Sequence, residues 1–325
     1  MTTPVITPQG AVTPAGTAPM ALGTMYFGTT VPVEAVQACL DTAFELGARF
    51  WDTANNYAFW AGGTGDESET ALGNWLHQRG PAVREEMVLA TKLGARPRSG
   101  GTDVSAGLGL SAPAVRYQVQ ESLRRLRTER IDLLYAHIDD RTVPFVETLG
   151  ALSGLVEDGL VRQIAASNLT PPRLQVAIKA GRSTGHAYAA LQQRFSYLVP
   201  GEETDLSPHV LLDDQVERIC TEADMVMLGY SPLLSGAYTR ADRPLPTGYD
   251  TPVTGHALEV LGEVAGAVGL DTGQTVLAWM AQRDRPVLPV VGVSSPEQVA
   301  SAWQAMTTRL EPGDLAALEA ARSGG

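Results

Sequence analysis

Lysine is almost missing from this chain: it stands at positions 92 and 179 alone, and arginine supplies the rest of the 24 basic residues. A lysine here is therefore not surface filler, and its place carries information. Cysteine is equally scarce. Cys39 and Cys220 lie far apart, with no metal-ligand spacing and no secreted-type framework, which fits a reducing cytosol and gives no reason to expect a metal. Positive charge is outweighed by 36 acidic residues, for a net charge of −12 and a pI of about 4.9, which argues against nucleic acid or an anionic membrane surface as partner. Long hydrophobic runs are absent too, since nothing approaches the roughly 18 apolar residues of a membrane span. The opening Met-Thr-Thr-Pro-Val-Ile-Thr-Pro has neither the positive start nor the apolar stretch of a signal peptide. The expectation is a cytoplasmic globular protein, its 325 residues forming one domain over 1–325, with 44% hydrophobic content to fill a large core. Oligomeric state leaves no signature.

Along the chain, residues 1–20 read as an irregular lead-in, with Val5-Ile6-Thr7 and Ala11-Val12-Thr13 flanking Pro8-Gln9-Gly10 as a hairpin. An alternation then sets in. Strands are expected near 21–25, 49–54, 87–92, 131–137, 161–167, 187–192, 225–230 and 287–291. Helical patterns fall between them at about 33–47, 66–79, 112–127 (with Ser111 as N-cap), 144–157, 170–181, 209–223, 256–268 and 273–283, and a final helix follows Ser294-Ser295-Pro296. Eight strand–helix units without a linker or charge block predict an α/β fold, a closed (β/α)8 TIM barrel with an N-terminal hairpin and a C-terminal helix on the ligand side. No Gly-x-Gly-x-x-Gly follows the first strand, which weighs against a Rossmann site.

In such a barrel the carboxyl ends of the strands face the active site. Asp52 ends the second strand, Lys92 the third and His137 the fourth, and Tyr57 lies just beyond Asp52. Singly, each has an ordinary explanation: a turn cap, a satisfied core histidine, a packed tyrosine. Jointly they suggest one chemistry. A phenol beside an ammonium that is itself paired with a carboxylate can protonate an oxygen gaining negative charge. An ammonium about 4 Å away is worth roughly 4 kcal/mol at an effective dielectric of 20. That predicts a tyrosine pKa about two or three below its free value of about 10, less what Asp52 cancels. His137 would hydrogen-bond the same oxygen. Hydride delivery to a carbonyl carbon is the reaction that fits.

These segments resemble the aldo-keto reductase superfamily over nearly the whole chain, bacterial members and the branch related to potassium-channel β-subunits in particular. Leu22-Gly23-Thr24-Met25-Tyr26-Phe27-Gly28, Phe50-Trp51-Asp52-Thr53-Ala54-Asn55-Asn56-Tyr57, Ser68-Glu69 with Leu72-Gly73, Leu89-Ala90-Thr91-Lys92 and Asp132-Leu133-Leu134-Tyr135-Ala136-His137 carry the likeness. The resemblance implies a tetrad: Tyr57 as general acid, Lys92 and Asp52 tuning it, His137 positioning the carbonyl. It also implies reversible hydride transfer with a nicotinamide cofactor bound across the barrel mouth, reducing an aldehyde or ketone, a sugar or related polyol carbonyl among them, to an alcohol.

The same resemblance assigns cofactor contacts to Gly23, Thr24, Met25 and Asp52, to the Ser167-Asn168 pair and Gln192 for the carboxamide, and to Tyr230 for stacking. It further assigns Ser231, Leu233 and Gly236 to the pyrophosphate, and Gly292, Ser294 and Gln298 to the adenosine half. The arginine or lysine that often meets a 2′-phosphate is missing, and Ala302 stands where an asparagine is common. NADP is expected from the resemblance, with NAD the alternative. A second departure is the insertion Ala58-Phe59-Trp60-Ala61-Gly62-Gly63-Thr64-Gly65-Asp66-Glu67 between Tyr57 and Ser68. Phe59 and Trp60 either wall a substrate pocket with Tyr26 opposite, or simply pack this loop down on four small, flexible residues. Two rival functions exist beside the enzyme: a cofactor-holding redox sensor or regulatory subunit with little turnover, and a Schiff-base aldolase on Lys92. The pairing of Lys92 with Asp52 weighs against the aldolase.

Overall fold

A computed structural model describes residues 5–7, 10–13, 16–98 and 107–323. Three short strands come first, β1 (Val5–Thr7), β2 (Gly10–Thr13) and β3 (Gly16–Ala18), in one antiparallel sheet. This is one strand more than the expected hairpin, whose turn residues Pro8 and Gln9 lie outside the described residues. Ile6 belongs to the same buried apolar cluster as the barrel interior, and its N–H donates to Gln163 Oε1 at 3.0 Å.

Eight parallel strands then close into a barrel: β4 (Ala21–Gly23), β5 (Phe50–Asp52), β6 (Val88–Leu93), β7 (Ile131–Ala136), β8 (Val161–Ser167), β9 (Ala190–Arg194), β10 (Val226–Tyr230) and β11 (Leu288–Gly292). The closing pair is β11 with β4, in register from Val290↔Ala21 to Gly292↔Gly23. The two-residue period of a strand divides the side chains between two cores. Ala21, Phe50, Val88, Ala90, Leu133, Tyr135, Ala165, Ala190, Leu228 and Leu288 fill the lumen. Their neighbours Leu22, Trp51, Leu89, Leu134, Ala166 and Leu191 face the helices. Continuing the inward parity by two residues puts Asp52, Lys92, His137, Ser167, Gln192 and Tyr230 at one rim.

The helices are α1 (Val33–Leu46), α2 (Glu67–Arg79), α3 (Pro81–Glu85), α4 (Ala112–Leu126), α5 (Phe145–Glu157), α6 (Pro171–Thr184), α7 (Asp214–Glu222), α8 (Thr254–Val268), α9 (Thr272–Gln282), α10 (Pro296–Thr307) and α11 (Pro312–Ser323). Four differ from the pattern-based expectation for local reasons. The short α3 was not expected; it opens at Pro81, which suits a first helical position. The helix placed at 209–223 begins at Asp214, because Asp213 caps the Val216 N–H at 2.8 Å. Residues before it run beside the end of β9 instead, with Arg194 N–H on Val210 O at 3.0 Å and Leu212 N–H on Arg194 O at 2.9 Å. Ser111 occupies the N-cap position of α4 but makes no side-chain cap bond; the Ala112 N–H goes to Glu147 at 3.1 Å. The final helix is two, the second opening at Pro312. Gly73 in α2 has a packing reason, since a Cβ there would run into the backbone of Arg125 and Leu126 in α4.

Candidate active site

Asp52 is the last residue of β5 and is fully buried. A carboxylate in that position needs compensation for lost hydration. It receives it on both oxygens: Lys92 forms a short ion pair with Oδ1, and Gln192 Nε2 donates to Oδ2 at 2.9 Å. Lys92, equally buried, spends all three ammonium hydrogens, on Asp52, on Thr53 O at 2.9 Å and on Tyr57 Oη at 2.7 Å. A lysine engaged in this way is a poor amine nucleophile. The Tyr57 hydroxyl accepts from Lys92 and has only a long 3.4 Å contact to Asp52 for its own proton. Within the Asp52–Lys92–Tyr57 group that proton is the least committed and is free to swing toward an incoming oxygen.

The phenol is not acidified as expected. Burial first, and then the Asp52 charge, push the Tyr57 pKa well above its ordinary value of 10. The physical reason is that Asp52 lies against both Lys92 and Tyr57, so it offsets the ammonium's effect, and burial then dominates. Burial also lowers Lys92, against the raising influence of Asp52. His137 completes the group, its ring 6.0 Å from that of Tyr57 in edge-on contact. Burial and the Lys92 charge press its pKa down to about 3, so it is neutral at physiological pH, and Nδ1 is buried without a hydrogen-bond partner. Beneath them the Tyr135 ring lies 5.3 Å from Lys92 Nζ, its hydroxyl near Gln192 but outside hydrogen-bond geometry.

The loop carrying Tyr57 is fastened by residues that pattern reading did not single out. Gln118 is buried on α4, where its Oε1 accepts from Asn55 Nδ2 at 3.1 Å and from the Gly94 N–H at 2.9 Å. It thereby ties the segment after β5 to the segment after β6. A glutamine within the apolar face formed by Val115, Val119 and Leu126 was the available signal. Ser68 Oγ contacts Thr24 Oγ1 at 2.8 Å and Thr53 Oγ1 at 2.7 Å, binding α2 to two strand ends, while Glu69 holds Thr91 and Arg125 at 2.6 Å each. A small polar cavity lined by Asn55, Asp66, Arg96, Gln118, Glu121 and Arg125 lies behind this loop and contains none of the four tetrad residues.

The inserted loop is tied rather than slack. Glu67 accepts from the Thr64 N–H at 2.7 Å and the Gly65 N–H at 2.9 Å, and Arg96 bonds Asn55 O and Asp66. Phe59 and Trp60 form one short helical turn and stack edge to face at 5.1 Å. Trp60 is 52% exposed and Tyr26 39%.

The expected dinucleotide contacts fall into two groups. Ser167, Asn168, Gln192 and Tyr230 gather on adjoining strand ends. Ser167 Oγ donates to Gln192 O at 2.6 Å, and Asn168 Nδ2 donates to Ser167 Oγ at 3.1 Å and His137 O at 3.2 Å. Tyr230 Oη lies 2.8 Å from Asn168 Oδ1 and 3.0 Å from His209 Nδ1, which pins the ring. Asn168 Oδ1 can only accept, so the phenol donates to it and His209 must carry its proton on Nδ1. Gly292, Ser294 and Gln298 lie exposed at the end of β11 and the start of α10, where Gln298 Oε1 takes the Ser294 N–H at 2.7 Å. The space over Gly292 is open, while Gly23 opposite is close to the β11 backbone. Thr24 is buried, bonding Asp52 O at 3.0 Å, Met25 is partly buried, and Ser231 has a positive φ of 56° ahead of the Leu233–Gly236 turn. An amide-and-hydroxyl cluster with open space over Gly292 has the donor and acceptor types that a dinucleotide would need. No basic residue stands between Gly292 and Ala302.

A closed parallel barrel thus carries a buried Lys–Asp–Tyr cluster at its carboxyl rim, and comparison with known proteins gives the class, an oxidoreductase. The chain matches the Aldo/keto reductase family over residues 19–323 and belongs to it. It is 27% identical to an aryl-alcohol dehydrogenase of Pestalotiopsis microspora, over 86% of this chain and 70% of the relative. Identity is 28% with the aldo-keto reductase yakc of Schizosaccharomyces pombe, whose name carries NADP(+), over 85% of this chain and 79% of that one. It is 27% with the L-glyceraldehyde 3-phosphate reductase of Escherichia coli, over 86% and 81%.

Proposed function

We propose that this chain, working as one barrel domain, is an NAD(P)H-dependent carbonyl reductase that interconverts an aldehyde or ketone and its alcohol. The observation that carries the reading is the Tyr57 hydroxyl, held at 2.7 Å by Lys92 while its own proton is almost uncommitted. Ser167, Asn168, Gln192, Tyr230, Ser231, Leu233, Gly236, Gly292, Ser294 and Gln298 would hold the dinucleotide, with Gly23, Thr24, Met25 and Asp52 completing the set at the ends of the first two barrel strands. When bound, the nicotinamide supplies or accepts the hydride. Tyr57 donates its proton to the carbonyl oxygen as negative charge develops there. Lys92 stabilises the resulting phenolate, and Asp52, held by Gln192, keeps the ammonium in place. Neutral His137 orients the same oxygen with its one N–H.

NADP is the proposed cofactor, supported by the family and the relative named for it; the missing cation near Ser294 makes NAD the second reading. Phe59, Trp60 and Tyr26 are proposed to border the substrate. Burial of Cys39 and Cys220 as free thiols accords with a cytoplasmic setting, and among the described residues no helix is long and apolar enough to cross a membrane. The test is cofactor oxidation, NADPH against NADH, across aldehydes, ketones and sugars, with Tyr57→Phe as control. Turnover should fall about 10²–10⁴-fold in that variant while cofactor binding, read by fluorescence, is kept. Cofactor binding without turnover on any carbonyl would instead establish a sensor.

A further inference from the structure

Arg194 is the last residue of β9, two positions beyond Gln192 and therefore on the same inward parity, one layer nearer the mouth. Its Cα is the register partner of Tyr230, and its backbone is clamped to Val210 and Leu212. His209 and Tyr230 both feel its charge: burial lowers the His209 pKa and Arg194 adds to that, whereas burial raises the Tyr230 pKa and Arg194 opposes it. The guanidinium therefore stands at the rim already described.

Its bonding is one-sided. Nε donates to the hydroxyl of buried Tyr249 at 2.9 Å, and the guanidinium lies 5.6 Å from that ring. Nη1 and Nη2 have no hydrogen-bond partner and the side chain no ion pair among the described residues. Arg322 is bonded through Nε alone as well, to Tyr197 O at 2.9 Å, but it lies against Phe195 and Trp279 rather than beside Tyr230. Arg49, Arg84, Arg125 and Arg283 are each buried against a carboxylate. Arg194 is instead fixed through Nε, so the two-nitrogen edge is held ready with little rotamer entropy left to lose. That edge matches two oxygens of a carboxylate or phosphate. His209 does not compete for the role, because its Nδ1 proton is committed to Tyr230 and its Nε2 is then an acceptor.

We propose that Arg194 forms an anion-binding subsite at the barrel mouth that takes the carboxylate or phosphate of an anionic carbonyl substrate. This rests on the reading of the mouth as the carbonyl-reducing site. It makes the chain selective for aldehydes or ketones with a negative group on the side of the molecule away from the reacting carbonyl.

The test compares 4-formylbenzoate with its methyl ester as substrates of wild type, Arg194→Met and Arg194→Lys. Wild type should favour the acid, and Arg194→Met should lower the acid-to-ester ratio of kcat/KM by about tenfold or more. Arg194→Lys should keep part of it, and added salt should erode the wild-type ratio. Thermal melts of each variant show whether Arg194→Met has loosened the Tyr249 contact. Calorimetric binding of 4-(hydroxymethyl)benzoate against its amide reads the subsite without turnover. If neither aldehyde is reduced but the acid still binds through Arg194, the function proposed above fails and the subsite stands. An acid-to-ester ratio unchanged within about twofold in Arg194→Met, or a dinucleotide Kd weakened by the same factor as the acid, overturns the proposal. The second result would assign the guanidinium to the cofactor's phosphates.

Discussion

Two buried ion pairs sit near opposite ends of the barrel, and comparing them separates chemistry from architecture. At the amino end of β7, Asp132 is 2.8 Å from Arg84, with Arg130 at 3.5 Å and Arg162 at 3.4 Å, and it also accepts the Leu89 N–H. Every partner there is a guanidinium or a backbone group. At the carboxyl end, Asp52 and Lys92 are as deeply buried but share a phenol. Burial and pairing are common to both sites, so neither marks function by itself. What distinguishes the second is a third member that can give up a proton, on the side of the barrel where the strands end.

The sharpest way to break the comparison is Lys92→Met, which should cost both properties. Turnover should drop about 10²–10⁴-fold, and removing one partner of a buried pair should destabilise by about 3–5 kcal/mol, read by chemical denaturation. Arg84→Met should show the second loss alone: a similar drop in denaturation midpoint, with turnover per folded molecule kept. Equal activity losses in both variants would erase the distinction.

A smaller effect is expected from pH. The Tyr57 pKa is raised in the folded state, so its contribution to stability is complete below the unfolded value near 10 and is lost as pH rises toward the folded one. The alkaline limb of kcat/KM for reduction should accordingly lie above pH 10 in wild type, not near neutrality. His137 has the opposite sign. Its folded pKa is depressed to about 3, so stability falls as pH drops from about 6.5, by up to about 1.4 kcal/mol per pH unit. His137→Gln should flatten that acid limb in denaturation curves. The smallest change is Trp60→Ala. Because Trp60 is half exposed, stability should move by less than about 0.5 kcal/mol while relative rates across a carbonyl panel shift a few-fold. Unchanged relative rates would leave the aromatic pair with a packing role only.

Much of the barrel was legible because its signals are local. Alternation of apolar runs with helical periods placed all eight strands, with ends misjudged by a few residues, as at the short β5 and the late start of α7. Asp52, Lys92 and His137 stand out in the sequence because each lies at or next to the carboxyl end of an expected strand, and inward parity follows from counting by two. The Tyr57 pKa was misread for a reason that no sequence supplies: its sign depends on whether burial and Asp52 outweigh an ammonium in contact. Gln118 was overlooked because one polar residue on an apolar helix face looks like an exception until its partners are known. Arg194 was passed over because composition says nothing about which arginine lacks a carboxylate.

The order of residues along this chain settled the element types, the barrel and the residue types available at its mouth, since periodicity and turn chemistry act over a few residues. Only the folded arrangement decided which charges are answered and which are left open. Gln192 reaches Asp52 across 140 positions, and Arg194 is held by Tyr249 from 55 positions away. Interactions of that kind depend on distance and burial, and both are properties of the closed barrel rather than of any segment within it.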